Sequence, residues 1–217
     1  MHDKFMKHCL QLLCVCLLAG GGHARAQEQV AAPNNGFELS LGVGYGQGLG
    51  PVASHVPRLQ ELGNAGGTMV LNAGWRIDPR WEVGVYGEFG LFSSGDLPGD
   101  KSYSAGAGVQ GQFHFLPGDR YDPWVGVGFG WRGYWADLNG GTYGLQGLDL
   151  ARLQLGVDYR LTPTFAVGPV VGITLTEFLS AKPVGANDYN DTHDRKLNTF
   201  VFGGIGGRFN LWSRARV

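Results

Sequence analysis

Apolar and polar residues alternate along much of this chain, and the stretch 81–92 (WEVGVYGEFGLF) shows the pattern most clearly. Counting every second residue from Trp81 gives a set that is mainly aromatic or aliphatic, whereas the other set contains Glu82 and Glu88. Successive side chains of a β-strand point to opposite faces. The stretch is therefore predicted to be a strand with one apolar face and one face that carries carboxylates.

The same alternation recurs eight times, in segments of about 9–14 residues. The predicted strands are 37–45, 68–77, 81–92, 102–115, 123–136, 148–161, 165–178 and 197–212. Their connections are predicted to alternate in length, with long loops at 47–67, 93–101, 137–147 and 179–196 and short turns at 78–80, 116–122 and 162–164. Turn residues such as Asp78-Pro79 and Thr162-Pro163 mark the short connections.

Strands of this length suit a membrane barrel, because about 10 residues tilted by about 45° cross the apolar core of a bilayer. An even number of strands with short turns at one end and longer loops at the other is typical of such barrels. The prediction is an all-β fold, an eight-stranded antiparallel up-and-down transmembrane β-barrel over residues 37–212, with a soluble barrel or sandwich as the alternative. Aromatic residues at both ends of the apolar face are predicted to form a membrane girdle: Tyr45, Trp75, Trp81, Tyr103, Phe115, Trp135, Tyr159 and Phe165.

The first 26 residues are predicted to be a cleaved signal peptide. Lys4 and Lys7 precede a short apolar run, and Ala24-Arg25-Ala26 forms an A-x-A cleavage site. A lipoprotein modified at Cys14 or Cys16 is the alternative. All three cysteines lie within this segment, so the mature chain is predicted to contain no disulfide and no cysteine nucleophile. Residues 27–36 are predicted to be a periplasmic lead-in and residues 213–217 a short periplasmic tail.

Charge and glycine content agree with this picture. The segment 1–26 contains three of the 17 Lys+Arg and one of the 18 Asp+Glu, so the remainder carries 14 basic against 17 acidic residues. This balance gives no basic surface for a nucleic-acid partner. The 38 glycines follow no collagen period and suit a tightly curved sheet.

The whole mature chain resembles the small outer-membrane β-barrel proteins of Gram-negative bacteria, the group that includes the OmpA transmembrane domain, OmpX and OmpW. The pattern of strands carries the resemblance, together with turns such as IDPRW (77–81) and LTPTF (161–165). It implies a monomeric outer-membrane protein with both termini in the periplasm and four loops outside, with outer-membrane lipid or lipopolysaccharide and the assembly machinery as partners. Such barrels usually end on an aromatic residue, whereas this chain continues beyond Trp212 with Ser213-Arg-Ala-Arg-Val217, so assembly is expected to use an internal signal at Phe209 and Leu211.

Charged residues on the polar faces are predicted to point into the bore, which eight strands leave just wide enough for side chains. Four acids against five arginines favour a paired network that plugs the bore over a ring that selects ions. A narrow conducting path is the alternative. The predicted network is Glu38, Arg76, Glu82, Glu88, Arg132, Arg152, Asp158, Arg160 and Arg208.

Other chemistry has weak support in the sequence. Deacylase-like barrels use a His-x-Ser pair, but His114 is followed by Phe115 and Leu116, so the pair is missing. The loop residues His55, Ser93, Ser94 and Asp96 do not match the order found in palmitoyltransferase-like barrels. No enzyme activity and no cofactor are expected, with lipid-A modification as a remote alternative. The loop acids and amide Asp188, Asn190, Asp191 and Asp194 are a weak candidate cation site. The predicted role is structural, with the loops available for surface interactions and a small-solute or hydrophobic-solute channel as the competing function.

Overall fold

The computed structural model describes residues 34–54 and 56–211. The predicted signal peptide, most of the predicted lead-in, His55 and the predicted tail lie outside the described residues. The described part contains eight long strands and one two-residue strand, in the order β1 (Gly36–Leu49), β2 (Gly63–Arg76), β3 (Trp81–Ser94), β4 (Gly99–His114), β5 (Tyr121–Leu138), β6 (Gly141–Thr162), β7 (Phe165–Lys182), β8 (Asn190–Asp191) and β9 (Leu197–Leu211). Gly36, assigned to the lead-in by sequence, pairs with Arg76 and belongs to the first strand.

The long strands form a closed antiparallel barrel. Each pairs with its neighbour in the chain from β1 to β7, β9 pairs with β7, and the ring closes where β9 pairs with β1. At this seam the ladder runs from Phe37–Leu211 to Leu49–Thr199. Closure leaves no unpaired edge, which is the condition for a sheet to cross a membrane. The predicted eight-stranded up-and-down barrel is confirmed.

The predicted alternation of long and short connections is wrong at one end of the barrel. The three short turns lie at 77–80, 115–120 and 163–164, at what we call the turn end. At the opposite loop end, 50–62 and 183–196 are long, but 95–98 has four residues and 139–140 only two. The predicted loop 137–147 is instead part of the β5–β6 hairpin, in which Leu138 pairs with Gly141 and Trp135 pairs with Gly144.

This error has a physical cause, because the hydrophobic pattern reverses along the strands. In the central part the apolar side chains face outward, as with Val85, Phe129 and Ile205. Near the loop end the inward side chains are apolar, as with Tyr143 and Leu145, while polar residues face outward. The strands thus leave the apolar zone and continue as a sheet of the kind found in water, with a buried hydrophobic interior.

This interior closes the loop end, and we call it the apolar cap. It consists of Val52, Leu59, Leu62, Phe92, Tyr134, Ala136, Tyr143, Leu145, Phe178, Ala181 and Phe200. Three of these residues come from the connection between β1 and β2, which contains the one-turn helix α1 (Leu59–Leu62). Ser102 Oγ donates a hydrogen bond to the Leu62 carbonyl oxygen at 2.6 Å, and the Lys196 amide donates to the Val52 carbonyl at 3.0 Å. The described residues contain no helix that is long and apolar enough to span a membrane.

Candidate functional site

All nine charged residues that the alternation places in the bore are buried, each at most 9% exposed. They fall into two groups at different heights. The turn-end cluster consists of Glu38, Arg76, Glu82, His114, Asp122, Asp158, Arg160 and Arg208. The loop-end cluster consists of Tyr86, Glu88, Arg132, Asp149, Arg152, Thr174 and Thr176.

Arg208, on β9, contacts side chains from four other strands, β1, β3, β4 and β6. Its Nη1 donates to Glu38 Oε1 at 3.0 Å and to Glu82 Oε2 at 2.8 Å, on β1 and β3. Its Nη2 donates to Gln112 Oε1 at 2.8 Å, and its Nε lies 2.7 Å from Asp158 Oδ2. A guanidinium has five N–H donors in a fixed plane and can therefore serve several acceptors at once.

His114 is held in one arrangement by its two neighbours. Its Nδ1 lies 2.8 Å from Asp122 Oδ2, and its Nε2 lies 2.9 Å from Arg76 Nη2. Arginine can only donate, so Nε2 must accept, and the ring proton is on Nδ1 and donated to Asp122. Arg76 also pairs with Glu38 and donates to the Pro79 carbonyl at 2.7 Å. The imidazole is therefore fully used inside the network.

The loop-end cluster contains two acids and two arginines. Arg132 donates from Nε to Asp149 Oδ1 at 2.9 Å, from Nη2 to Asp149 Oδ2 at 3.1 Å and from Nη1 to Glu88 Oε1 at 2.8 Å. Arg152 Nη1 donates to Glu88 Oε2 at 2.5 Å. The Thr176 hydroxyl donates to Asp149 Oδ1 at 2.6 Å. Every charge in this cluster thus has an opposite charge in direct contact.

Sequence reasoning missed Asp149 because β6 contains a β-bulge. Leu150 and Ala151 are consecutive and both exposed on the outer face, and the register shifts between Asp149 and Ala151. Strict alternation from the inward Arg152 would place Asp149 on the outer face, but the extra residue returns it to the bore. The polarity of Asp149 between Leu148 and Leu150 is the sequence signal that could have revealed the bulge.

Asp122 was missed for a different reason, since the sequence placed it in the turn before the fifth strand. It is the second residue of β5, is fully buried and lies 3.3 Å from Arg160 Nη2. His114 lies on the polar face of the fourth strand but was not part of the predicted network, and the structure adds it through Asp122 and Arg76. With these additions the described bore contains six acids, five arginines and one histidine.

The space between the two clusters is filled. Val70, Trp124, Val170 and Phe202 form a small apolar layer, and Trp124 Nε1 donates to Asp158 Oδ1 at 3.0 Å. A cavity of about 20 Å³ lies beside this layer, and a second of about 10 Å³ lies against Glu88 and Arg152. Each has room for about one water molecule.

The described residues bring three potential metal ligands together, Glu38, Glu82 and His114. Their ligand atoms are already occupied by the guanidinium groups of Arg208 and Arg76. The two guanidinium cations would repel a metal ion at this position. The weak candidate Asp188, Asn190, Asp191 and Asp194 lies in an exposed loop, where Asn190 and Asp191 pair with Ala181 and Ser180 as strand β8, and its acids form no comparable cluster in the described chain.

The predicted girdle residues all lie on the outer face of the barrel. Trp75, Trp81, Phe115, Tyr159 and Phe165 are near the turn end, and Tyr45, Tyr103 and Trp135 are near the loop end. Several contact each other or other rings, as in the pair Phe165–Phe209 with centroids 4.5 Å apart and the pair Tyr103–Trp135 at 5.7 Å. Of the residues considered for acyl transfer, Ser93 Oγ donates to the Ala65 carbonyl and His114 is enclosed in the bore.

No protein-family model matches the chain, and no curated protein matches it by sequence. Solved structures match its fold. Neisserial surface protein A has 17% identity, with a TM-score of 0.52 over 81% of this chain and 97% of that chain. The outer-membrane protein OprG from Pseudomonas aeruginosa has 14% identity and a TM-score of 0.50 over 82% and 98%. The outer-membrane protein AlkL has 13% identity and a TM-score of 0.51 over 90% and 100%. The chain therefore has the fold of the small eight-stranded outer-membrane β-barrels.

Proposed function

We propose that this protein is a closed barrel of the outer membrane, with a structural role and with loops that interact at the cell surface. The observation that carries the proposal is that the bore is blocked three times in succession. The turn-end cluster, the loop-end cluster and the apolar cap each cross the interior. Outer-membrane lipid and the assembly machinery are its proposed partners, and no catalytic function is proposed.

The charged clusters support closure because each arginine and each carboxylate in them contacts an opposite charge. In a dry interior, an unpaired charge costs several kcal/mol, so separating these pairs to admit a solute is unfavourable. Acids and arginines are also mixed at each level, whereas ion-selective pores use a ring of one sign. The chemistry of the bore thus favours a rigid polar core over a conducting path.

The apolar cap supports closure independently, since it excludes water from the loop end. Arg132 links the two layers, with its guanidinium 4.2 Å from the centre of the Phe200 ring. A solute entering from outside would have to displace Leu59 and Leu62, which are at most 2% exposed. The competing function, a narrow channel for small or hydrophobic solutes, requires both layers to move.

Planar-bilayer conductance of the purified, refolded protein tests the proposal. We expect no single-channel steps from the wild type. A double variant, Leu59→Ser with Leu62→Ser, removes the cap but retains both charged clusters, and we expect it to stay silent. A further variant that adds both Arg132→Ala and Arg208→Ala opens the two charged clusters as well, and it is expected to show rare, small steps.

Heat-modifiable migration on gels serves as the control, because a folded barrel runs differently before and after boiling. Each variant enters the comparison only when it shows this shift. A reproducible conductance step in the folded wild type, changed in size by Arg132→Ala, would contradict the closed-barrel proposal and establish the channel.

A further inference from the structure

We propose that the outer wall formed by β4–β7 holds one molecule of the outer-leaflet glycolipid lipid A. Its sugar-phosphate headgroup would lie against an aromatic and basic row near the loop end, and one of its acyl chains would lie in a groove lower on the same wall. This inference rests on the proposed location of the barrel in the outer membrane. Two separate features of the wall carry it.

The first feature is a group of packed rings, which we call the aromatic row, consisting of Tyr103, Trp131, Trp135 and Tyr189. Tyr103 stacks on Trp135 with ring centroids 5.7 Å apart, and Trp131 lies 6.4 Å from Trp135. Trp135 Nε1 donates a hydrogen bond to the Tyr189 hydroxyl at 3.0 Å. Tyr189 thus reaches from the 183–196 connection onto the barrel wall and completes the row.

Two glycines make room for these rings. A Cβ at Gly133 would meet the rings of Trp135 and Trp131, and a Cβ at Gly144 would lie 2.6 Å from the Tyr189 hydroxyl. Both glycines face outward yet are buried, because the rings cover them. Broad, flat aromatic surfaces of this kind pack well against the C–H faces of sugar rings. Tyr and Trp are also enriched where a membrane surface is part apolar and part wet.

Lysines flank the aromatic row. Tyr103 pairs with Trp135, Trp135 with Gly144 and Gly144 with Lys182, so these positions lie side by side across four strands. Lys101 lies two residues from Tyr103 on the same face. Neither lysine forms an ion pair with any residue that the structure describes. Among the carboxylates near the row, Asp137 accepts a hydrogen bond from the Thr142 hydroxyl at 2.9 Å, and Asp188 and Asp191 lie in the connection that carries Tyr189. Two unpaired ammonium groups beside stacked rings suit the phosphates of a glycolipid.

The second feature is a groove of about 650 Å³ on the same four strands. Its walls are apolar side chains such as Val127, Phe129 and Leu153, and its floor is open at Gly111 and Ala151. The bulge at Leu150 and Ala151 creates this space, because it interrupts the regular row of outward side chains. A groove of this size and lining accepts a lipid acyl chain.

The spacing of the two features fits one lipid. Val109, at the groove, lies six residues from Tyr103 along β4. At about 3.3 Å per residue and a tilt of about 45°, this is roughly 14 Å along the membrane normal. The groove then lies in the outer half of a hydrocarbon core about 30 Å thick, and the tilt of the strands offsets it sideways from the row by a similar distance. The same lipid therefore reaches both.

Native mass spectrometry of the refolded protein tests the inference, with lipid A and phosphatidylglycerol offered as competing probes in detergent. We expect the wild type to retain one lipid A in preference to phosphatidylglycerol. Tyr103→Ala combined with Lys182→Ala removes headgroup contacts, and Gly111→Phe fills the groove, where a Cβ meets only the Glu82 carbonyl oxygen at 3.8 Å. Each is expected to lower lipid A retention about tenfold, equivalent to about 1.4 kcal/mol.

Matched controls lie on β1 and β9, outside the wall formed by β4–β7. Tyr45→Ala removes an exposed tyrosine from the loop end of β1, and Gly203→Phe adds a ring where nothing lies within 4 Å. Both are expected to retain lipid A like the wild type. Equal retention of the two probes, or an equal loss in the control variants, overturns the inference. Gel migration and conductance of the same samples are independent readouts, so a folded, silent barrel without lipid A preference overturns this inference alone.

Discussion

Arg132 and Asp149 form a bidentate ion pair inside the barrel, with N–O distances of 2.9 and 3.1 Å and with both side chains fully buried. The pair is supported on each side. Arg132 also contacts Glu88, and Asp149 also accepts hydrogen bonds from Thr176 and Tyr86. Because these groups share partners, removing one member changes the environment of all the others.

We therefore expect Arg132→Ala to lower the free energy of unfolding by about 3–5 kcal/mol, the cost of leaving buried carboxylates without their cation. Urea unfolding in lipid vesicles, followed by tryptophan fluorescence, measures this loss. Arg80→Ala, at an exposed position in a short turn, is the control and should change the stability little. A loss below about 1 kcal/mol for Arg132→Ala would mean that water enters the cluster and replaces the arginine.

The bulge in β6 predicts that two consecutive positions contact lipid. In single-cysteine variants that carry a fluorophore, Leu150→Cys and Ala151→Cys should both be quenched by lipids with brominated acyl chains. Gln154→Cys, which points into the bore at 2% exposure, should not be quenched. Quenching of Leu150→Cys without quenching of Ala151→Cys would show that β6 alternates regularly and that no bulge is present. Background labelling is absent if residues 1–26, which contain all three cysteines, are removed as predicted.

The apolar cap predicts that the connection 50–62 resists protease. Trypsin cleaves after Arg58, which precedes the helix α1. Leu59→Ala with Leu62→Ala removes two fully buried anchors, at about 2–5 kcal/mol for each leucine, so that local opening and cleavage become much faster. Val184→Ala, in the exposed 183–196 connection, should leave the cleavage rate at Arg58 unchanged. Rapid cleavage of the folded wild type at this site would show that the connection does not pack into the barrel.

Two glycines on the barrel wall should respond very differently to alanine. A Cβ at Gly168 would collide with the backbone carbonyl of Val157, which cannot move without opening the β6–β7 ladder, whereas at Gly203 it meets nothing within 4 Å. Gly168→Ala should reduce the yield of folded, heat-modifiable protein severely, and Gly203→Ala should fold as the wild type does. Equal folding yields would indicate that the wall near Gly168 is looser than these contacts require.

The membrane-facing part of the barrel could be predicted from sequence because one physical rule governs it. Lipid solvates the outer face, so alternation alone places Glu38, Arg76 and Arg208 in the bore and Val85 and Ile205 outside. The rule assumes that no residue is inserted into a strand, and this is why the position of Asp149 was missed. One bulge exchanges the predicted inward and outward faces for every residue on one side of it.

The loop end could not be predicted by that rule, because its solvent changes. Where β5 and β6 leave the membrane, water replaces lipid outside and the apolar side chains turn inward, as Tyr134, Tyr143 and Leu145 do. The same alternation is present in the sequence with the opposite phase. The packing of Leu59 and Leu62 against Phe200 involves residues far apart in the chain, so no local pattern reveals it.

The position of Arg208 has a consequence for biogenesis. It is on the last long strand described, and its partners Glu38, Glu82 and Asp158 are on β1, β3 and β6. An intermediate in which β9 has not yet docked therefore carries three carboxylates that lack a shared counter-ion. When β9 pairs with β1, the barrel closes and Arg208 comes into contact with these three carboxylates. Closing the seam is therefore coupled to pairing the buried carboxylates of three other strands.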